Sequence, residues 1–404
     1  MALDLTPAEA AAAAAHLAGR VYFDTALEGG EGGQLSIVAA DPGEVWRGRT
    51  GDDWLALRAA VARRAGGPHC DDGLPAGFAA GFVEYDGTFG FGIYEDALIY
   101  RHAEQRWFEI GDFSARLRPV AAALPAGGPR FIPQMTREEF CRRVARAQEY
   151  IAAGDIYQVN LAHRFAAEWD GDPFAFYEAL RHYSPAPYAA FLELDGRAIL
   201  STSPESFLKI SGRAIRTRPI KGTRPRRAEA NADALSAYDL RNSAKETAEL
   251  VMITDLERND LGAICDYGSV HVKELLKLES YEHVFHLVST VEGRLREEVD
   301  PVAALRACFP RRLDHRRAEE TRPRDHRRTR ARAARRLHGR AGVVRLQWRE
   351  PVQYRHPHGR RGKRARALPR RRGHRRGFHP EKEWQETLDK AAGILLAAER
   401  CGES

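Results

Sequence analysis

The sequence predicts an α+β fold, an antiparallel β-sandwich with outer helices. Strand-like segments come in runs, helical segments fall between hairpins, and Asp195-Gly196 marks a tight turn inside YAAFLELDGRAILSTSPESFLKI. A parallel doubly wound sheet would instead alternate single strands with helices. The chain has 404 residues, 43% of them apolar, which is enough for one large domain or two ordinary ones.

Residues 1–125 are predicted to form an N-terminal region of strands and turns. Short apolar runs alternate with Gly, Asp and Pro across residues 20–110, as in QLSIVAADPGEVW and GFAAGFVEYDG. An Ala-rich helix opens at Thr6 with Pro7 in its first position. No basic start precedes this helix and no apolar run reaches about 18 residues, so we expect neither a signal peptide nor a membrane-spanning helix.

Residues 135–398 are predicted to form the second region, which opens with a helix after a connector at 125–133. Thr136 and Glu139 make a capping box, and Gly154 ends the helix. The apolar positions that share one face of this helix are Phe140, Val144, Ala147 and Ile151.

The second region continues with strands and helices. IYQVNLAHRF, AIRTRPIKGTRP and SVHVKELLKLE are predicted to be extended, and residues 283–291 form a short apolar segment. Helices are predicted at 174–182, at 236–252 and, amphipathic and closing the chain, at 380–399.

The five cysteines indicate a cytoplasmic protein, and the charges are concentrated in one basic block. The cysteines are odd in number and form no CxxC pair, so we expect reduced thiols in a cytoplasmic protein. The net charge of +7 hides an uneven distribution, because residues 311–378 hold 25 arginines and one lysine against five acids. That block carries +21 and the rest of the chain −14.

Several ionisable residues are candidates for chemistry, although an ordinary interpretation exists for each. Glu383, Glu386 and Lys390 are spaced i, i+3 and i+7 on one helix face, and Glu249 lies beside apolar residues of another helix. From spacing alone, solvated surface charge is the favoured interpretation. The alternative is a site for a hard cation such as Mg²⁺, which takes few carboxylates and leaves room for an anionic substrate.

Three further residues have equally open interpretations. Lys221 precedes Gly222 after a strand, so it is either an ordinary solvated lysine or a desolvated nucleophile. Glu205 follows Pro204 and is either a loop acid or a general acid. His286 is either a core histidine or a catalytic one.

Seven segments in order resemble the chorismate-binding enzymes, a family that includes anthranilate synthase component I, aminodeoxychorismate synthase component I, and the isochorismate and salicylate synthases. The resemblance is strong over about residues 135–310 and 379–398, and weak over the first 120 residues. The segments are GDIYQVN, SPAPYAAF, STSPES, RPIKGT, KETAELVMITDLERNDLG, YEHVFHLVSTVEG and HPEKEWQETLDKA. SPAPYAAF contains an Ala-Pro insertion relative to the family, and Leu250 stands where His or Asn is common.

The resemblance implies a component I-like fold and a role for each candidate residue. Glu249, Glu383 and Glu386 would hold Mg²⁺ against the ring carboxylate of chorismate, Glu205 would protonate the departing C4 hydroxyl, and His286 would lie by the ring. Gly222, Thr223 and Lys390 would contact the substrate.

Lys221 decides between two reactions within the family. Aminodeoxychorismate synthases carry PIKGT, as here, whereas anthranilate synthases carry PIAGT. The resemblance therefore implies that Lys221 attacks C2, that ammonia then adds at C4, and that the product is 4-amino-4-deoxychorismate, a precursor of p-aminobenzoate and folate. No glutaminase motif is present in the sequence, so a glutamine amidotransferase subunit would supply the ammonia. Anthranilate synthesis is the alternative reaction.

The basic block at 311–378 is interpreted as a frame-shifted segment. The family has a loop like GGSITGAPK after the Phe-Pro at 309–310, and RRLDHRRAEET encodes that loop when its allowed codons are read one base later. The same shift turns residues 345–358 into GFNGESQFNIAIR and 371–378 into GGGIVADS, and the register returns at 379–380. A segment so rich in arginine can bury little apolar area. We therefore expect this block to be poorly packed and the chain as written to be weak or inactive. The alternative from another class is a nucleic-acid-binding arm on a decayed synthase scaffold.

Overall fold

A computed structural model describes most of the chain. The described residues are 3–26, 35–49, 51–64, 77–84, 86–119, 127–155, 158–281, 284–309, 342–353 and 379–401, with only the backbone described at 158, 160 and 342–353. Helices and antiparallel sheets make up the described part, which confirms the predicted α+β class. None of the helices in these ranges is long and apolar enough to cross a membrane.

The chain divides into two compact units that do not follow the sequential division predicted at 125–135. The first unit comprises Met1–Ala126, Asp172–Arg312 and Cys401–Ser404, and the second comprises Gly127–Gly171 and Leu313–Arg400. Residues after 171 return to the first unit because the strand Tyr188–Leu194 pairs antiparallel with Val21–Asp24 near the N-terminus. A long-range pairing of this kind leaves no mark in the local sequence.

The largest sheet of the first unit has six strands in the order β11-β10-β1-β2-β6-β7. Its strands are β1 (Val21–Asp24), β2 (Leu35–Ala39), β6 (Ala97–Arg101), β7 (Arg106–Ile110), β10 (Tyr188–Leu194) and β11 (Arg197–Ser203). The predicted hairpin turn is confirmed, since Asp195 and Gly196 have φ of 60° and 69° between β10 and β11. The predicted first helix is also confirmed as α1 (Pro7–Ala13), with the Thr6–Glu9 capping box formed.

A three-stranded sheet, β3-β5-β4, follows along the chain in the same unit. Its strands are β3 (Glu44–Arg49), β4 (Phe78–Val83) and β5 (Thr88–Tyr94), and α2 (Asp52–Arg64) packs against them. This helix lies inside a stretch for which the sequence predicted only strands and turns. The Trp54 indole on α2 is 1% exposed and donates to the carbonyl of Val302 at 3.0 Å, at the start of α7 (Pro301–Cys308).

The third sheet is built around β16 and carries most of the candidate residues. The strands β12 (Lys209–Ser211), β13 (Ala214–Thr217) and β14 (Ile220–Pro225) precede β15 (His271–Ser280) and β16 (Val284–Arg294). β13 and β14 pair with successive stretches of one edge of β16, and β15 pairs with the other edge. Leu240, Leu250, Phe285 and Leu287 form the buried core between this sheet and its helices.

The predicted single helix at 236–252 is wrong, because two helices occupy this stretch. α5 (Ala230–Arg241) ends at Asn242, and α6 (Ala244–Gly262) begins after Ser243, whose hydroxyl accepts from the Glu246 amide. Asn and Ser favour helix ends because their side chains bond to nearby backbone groups. The sequence signal at Asn242-Ser243 was therefore available.

The described part of the second unit contains a three-stranded sheet, β17-β9-β8, and two helices. The strands are β8 (Ile132–Pro133), β9 (Gln158–Trp169) and β17 (Gly342–Gln353), and the helices are α3 (Arg137–Ala153) and α8 (Pro380–Arg400). The predicted start and end of α3 are confirmed, since Thr136 accepts from the Glu139 amide and Gly154 ends the helix with φ of 84°. Only this half of the predicted capping box is seen, because the Glu139 carboxylate accepts from Arg143. All four residues of the predicted apolar face of α3 are buried.

Most of the basic block lies outside the described residues, namely 311–341 and 354–378. Between them, the backbone of β17 pairs antiparallel with β9 from Gly342↔Trp169 to Gln353↔Gln158. Part of the block therefore has a regular backbone, while its side chains are not described. The poor packing expected for this block stays a prediction.

α4 (Pro173–Tyr183) completes the helices of the first unit and confirms the helix predicted at 174–182. Asp172 caps it by accepting from the amides of Phe174 and Ala175. On its buried face, Tyr177 packs against Phe191 of β10 with the ring centroids 5.6 Å apart.

Candidate active site

A bulge in β14 positions the candidate residues at 221–223. Lys221 pairs with Leu287 and Thr223 with His286, so Gly222 is an extra residue in β14. In a regular strand Gly222 itself would face His286. The bulge therefore brings the Thr223 hydroxyl, rather than a glycine, within 3.0 Å of His286 Nδ1.

Gly222 is required at this bulge for two reasons. Its φ is +74°, a left-handed conformation that disfavours every residue with a Cβ. A Cβ at this position would lie 2.5 Å from Leu240 Cδ1 on α5 and 3.2 Å from Glu246 Cγ on α6. The backbone at Gly222 therefore packs directly against the two helices.

His286 lies at the centre of the first unit's candidate residues. The Tyr281 ring packs edge-on against its imidazole, with the centroids 5.5 Å apart. Burial lowers the pKa of His286, while a hydrogen bond to the Gly222 backbone and the carboxylates of Glu279 and Glu205 oppose that shift. The candidates His286, Gly222, Thr223 and Glu205 are thus brought into one neighbourhood.

Glu205 follows the end of β11 in a tight local turn. Its amide donates to Ser203 Oγ at 3.3 Å, and that hydroxyl donates back to the Glu205 carbonyl at 3.0 Å. Ser203 and Pro204 together hold the backbone, because proline fixes its own φ and the serine hydroxyl bonds to the backbone two residues on. The carboxylate is half-buried and acts electrostatically on His286.

Glu249 occupies the buried side of α6. It is 6% exposed and lies one turn after Glu246, the residue that approaches Gly222. Its neighbour Leu250 is fully buried in the core with Leu287. The ordinary interpretation of Glu249 as solvated surface charge is therefore wrong.

The remaining acidic candidates belong to α8 in the second unit. Glu383 is 3% exposed, whereas Glu386 is half-buried and pairs with Lys390 at 3.1 Å, as their i, i+4 spacing allows. The buried Glu383 carboxylate is therefore not surface charge either. In the part of the chain that the structure describes, no group of three or more His, Cys, Asp or Glu side chains is arranged to hold a metal ion. The predicted Mg²⁺ set stays a prediction.

Sequence reasoning missed a buried polar network beside His286. Glu279 pairs with His286 across the β15–β16 register and accepts from the Tyr281 hydroxyl at 2.9 Å. Arg218, 5% exposed, donates to Glu279 and to the Thr290 hydroxyl. A prediction that residues 271–280 and 284–294 pair as a hairpin would have placed Glu279 and Tyr281, in the segment LESYEHVFH, beside His286.

Comparison with known proteins identifies the family. The chorismate binding enzyme family matches residues 68–311, which is more than half of the chain. Aminodeoxychorismate synthase component 1 of Klebsiella aerogenes is 43% identical over 228 residues, covering 54% of this chain and 50% of that protein. Anthranilate synthase component 1 of Streptomyces coelicolor is 45% identical over 196 residues, covering 48% and 38%. The matched part thus spans half or less of these relatives' length.

The fold agrees with a solved structure. The crystal structure of anthranilate synthase component I from Streptococcus pneumoniae TIGR4 superposes with a TM-score of 0.67 at 24% identity, covering 91% of this chain and 93% of that chain. At this identity the likeness concerns the fold alone, and it confirms the component I-like fold implied by the sequence motifs. The chain belongs to the family of chorismate-binding enzymes.

Proposed function

We propose that this chain aminates chorismate at C4 to give 4-amino-4-deoxychorismate, with ammonia supplied by a glutamine amidotransferase subunit. The observation that carries the proposal is Lys221 at the bulge of β14, one residue from the backbone group that contacts His286. The aminodeoxychorismate synthase of Klebsiella aerogenes, 43% identical over 228 residues, supports it. The product would serve p-aminobenzoate and folate synthesis.

The proposed chemistry splits one difficult displacement into two easier ones. The Lys221 amine attacks C2 of the ring, the double bond shifts, and the C4 hydroxyl leaves as water with a proton from Glu205. Ammonia then adds at C4, the double bond shifts back, and the lysine amine is released. The net reaction consumes chorismate and ammonia and yields 4-amino-4-deoxychorismate and water.

His286 is proposed to lie beside the ring, where burial favours its neutral form. The Thr223 hydroxyl, 3.0 Å from Nδ1, holds the imidazole in one orientation. Thr223 and Gly222 on β14, and Lys390 on α8, are proposed to contact the substrate. A bulge suits this role because it exposes backbone groups that a regular ladder would use.

Mg²⁺ is proposed as the cofactor, held by Glu249, Glu383 and Glu386. These residues fit a hard cation because carboxylate oxygens are the ligands that Mg²⁺ prefers. Glu249 and Glu383 are 6% and 3% exposed, and a bound cation would stabilise the charged form of a buried carboxylate. When bound, the ion would neutralise and orient the ring carboxylate of chorismate.

Anthranilate synthesis is the competing function, because the Streptomyces coelicolor relative is 45% identical over 196 residues. The decisive experiment incubates the chain with chorismate, ammonia and Mg²⁺ and identifies the product. We expect 4-amino-4-deoxychorismate, at the low rate expected of the chain as written, loss of its formation in Lys221→Ala, and the parent's rate in Lys209→Ala, a control on an exposed residue of the same sheet. Anthranilate as the product would refute the proposal.

A second measurement follows the covalent step without product formation. When ammonia is withheld, chorismate should leave an adduct on Lys221 whose mass equals chorismate minus water. The intact mass of Lys221→Ala should stay unchanged under the same conditions. An adduct on another residue, or none on a chain that otherwise turns over, would contradict the nucleophilic role.

The frame-shift interpretation adds a comparison between two chains. Sequencing of codons 305–385 decides whether the block at 311–378 is encoded as written. If restoring the frame yields the GGSITGAPK-like loop, the restored chain should form product and the chain as written should form little. Equal activity of the two chains would refute the expected loss. Steeply salt-dependent binding to DNA by the chain as written would instead favour the nucleic-acid alternative.

A further inference from the structure

A fully buried histidine of the second unit lies outside the machinery proposed above. His163 on β9 is 0% exposed, and its ring lies 4.4 Å from the centroids of both Phe165 and Trp384. The ring of Phe140, on α3, is the third aromatic neighbour, with its centroid 6.0 Å from that of His163. His163 thus contacts its own strand, α3 and α8 at once, so it is placed to fix how α8 lies on the sheet.

The hydrogen bonds around His163 determine which ring nitrogen carries the proton. The Thr387 hydroxyl lies 3.1 Å from His163 Nδ1 and donates its only proton to the Trp384 carbonyl at 2.7 Å. The hydroxyl oxygen must therefore accept a hydrogen bond from Nδ1–H. Nε2 has no hydrogen-bond partner among the described residues, which suits an uncharged nitrogen facing aromatic rings.

The two α8 residues that His163 contacts adjoin the two acidic candidates. Trp384 directly follows Glu383, and Thr387 directly follows Glu386. Both contacts therefore set the rotation of α8 about its axis, and that rotation decides where the two carboxylates project. A helix held only by apolar packing could slide or turn, whereas a directional N–H···O bond to Thr387 admits one position.

We propose that His163, as the neutral Nδ1–H tautomer, is a positioning residue that fixes α8 so that Glu383 and Glu386 project correctly for a divalent cation. The inference rests on the proposed function for the role of these two carboxylates. Its structural part, the anchoring of α8 through Nδ1–H and Thr387, stands independently.

The test compares two amide substitutions that differ only in where they place the donor. Asparagine puts its amide nitrogen near the position of Nδ1, whereas glutamine puts it near Nε2. Mn²⁺, which prefers carboxylate ligands as Mg²⁺ does, is titrated into the full chain and free Mn²⁺ is measured by electron paramagnetic resonance. We expect His163→Asn to bind within about twofold of the parent and His163→Gln to bind about tenfold more weakly, in the range found for residues that orient metal ligands.

Thr387→Val should weaken Mn²⁺ binding as His163→Gln does, because it removes the acceptor for Nδ1–H while keeping the side-chain shape. A residue that only filled space would not distinguish asparagine from glutamine. Equal Mn²⁺ affinities for His163→Asn and His163→Gln, whether both weak or both like the parent, would overturn the positioning role.

Two further measurements separate failure of this inference from failure of the proposed function. Glu386→Gln should weaken Mn²⁺ binding, which would show that the bound Mn²⁺ lies at α8. If the parent chain binds no Mn²⁺, the proposed cation site is wrong, and the metal part of this inference is refuted with it. Hydrogen exchange of the α8 amides in EDTA tests anchoring without metal. Faster exchange in His163→Gln than in His163→Asn supports anchoring, and equal exchange refutes it.

Discussion

Replacing Gly222 by alanine should destabilise the protein by about 2–4 kcal/mol, through two separable effects. The first is backbone strain, because an alanine at φ +74° costs about 1–2 kcal/mol, offset by about 0.4–1 kcal/mol from the less flexible unfolded chain. The second is overpacking, since the new Cβ would lie 2.5 Å from Leu240 Cδ1 and 3.2 Å from Glu246 Cγ. Relief of such contacts in a packed core typically costs about 1–3 kcal/mol.

Gly212 provides the matched control for strain alone. It lies in the β12–β13 turn of the same sheet with φ of +57°, and a Cβ there would meet nothing within 4 Å. Urea unfolding should show a loss of about 1 kcal/mol or less for Gly212→Ala and the larger loss for Gly222→Ala. The substitution at Gly222 should also weaken the Thr223–His286 contact, seen as slower turnover. Equal losses of stability in the two variants would refute the argument that α5 and α6 pack directly on the bulge.

Three other predictions follow from the structure. Burial lowers the pKa of both His163 and His286 below the ordinary 6.5, so the unfolded chain binds more protons than the folded one. The free energy of unfolding should therefore fall as the pH drops through about 6.5, by up to about 1.4 kcal/mol per pH unit for each histidine. Urea unfolding at pH 7.5 and 5.5 measures this loss, which should be smaller in His163→Asn. Glu279→Gln removes a carboxylate that raises the pKa of His286, so the NMR titration of that ring should move to lower pH, and an upward shift would contradict the assigned contact. Thr136→Ala removes the N-cap of α3 and should cost about 1 kcal/mol in unfolding free energy, whereas Thr136→Ser should restore most of it.

Local signals in the sequence predicted much of the fold correctly. The boundaries and buried face of α3 followed from Thr136, Glu139 and Gly154 and from apolar residues at helical spacing, because caps and periodicity act over a few residues. The Asp195-Gly196 turn likewise needs only two residues that tolerate positive φ. The break between α5 and α6 was missed although Asn242-Ser243 signals it.

Features that depend on strand register could not be predicted in this way. Leu240 and Glu246 approach the β14 bulge at Gly222 from helices that come later in the chain, and PIKGT alone does not show which residue is extra. The pairing of Glu279 with His286 likewise depends on the register of β15 against β16. The roles of the candidate acids came from family resemblance, because spacing alone favoured surface charge even for Glu249 and Glu383, which are buried.

The role proposed for Lys221, to distinguish two reactions of one family, requires that the backbone conformation around it does not depend on the lysine side chain. The conformation of the bulge is set by Gly222, through its positive φ and its contact with Leu240 and Glu246. Thr223 then reaches His286 whatever side chain stands at 221, because the register shift lies after that residue. Exchanging lysine for alanine would therefore remove the proposed nucleophile while the histidine, the threonine and the glycine keep their places. Under the proposed function, one position would thus change which bond is made within an otherwise unchanged site.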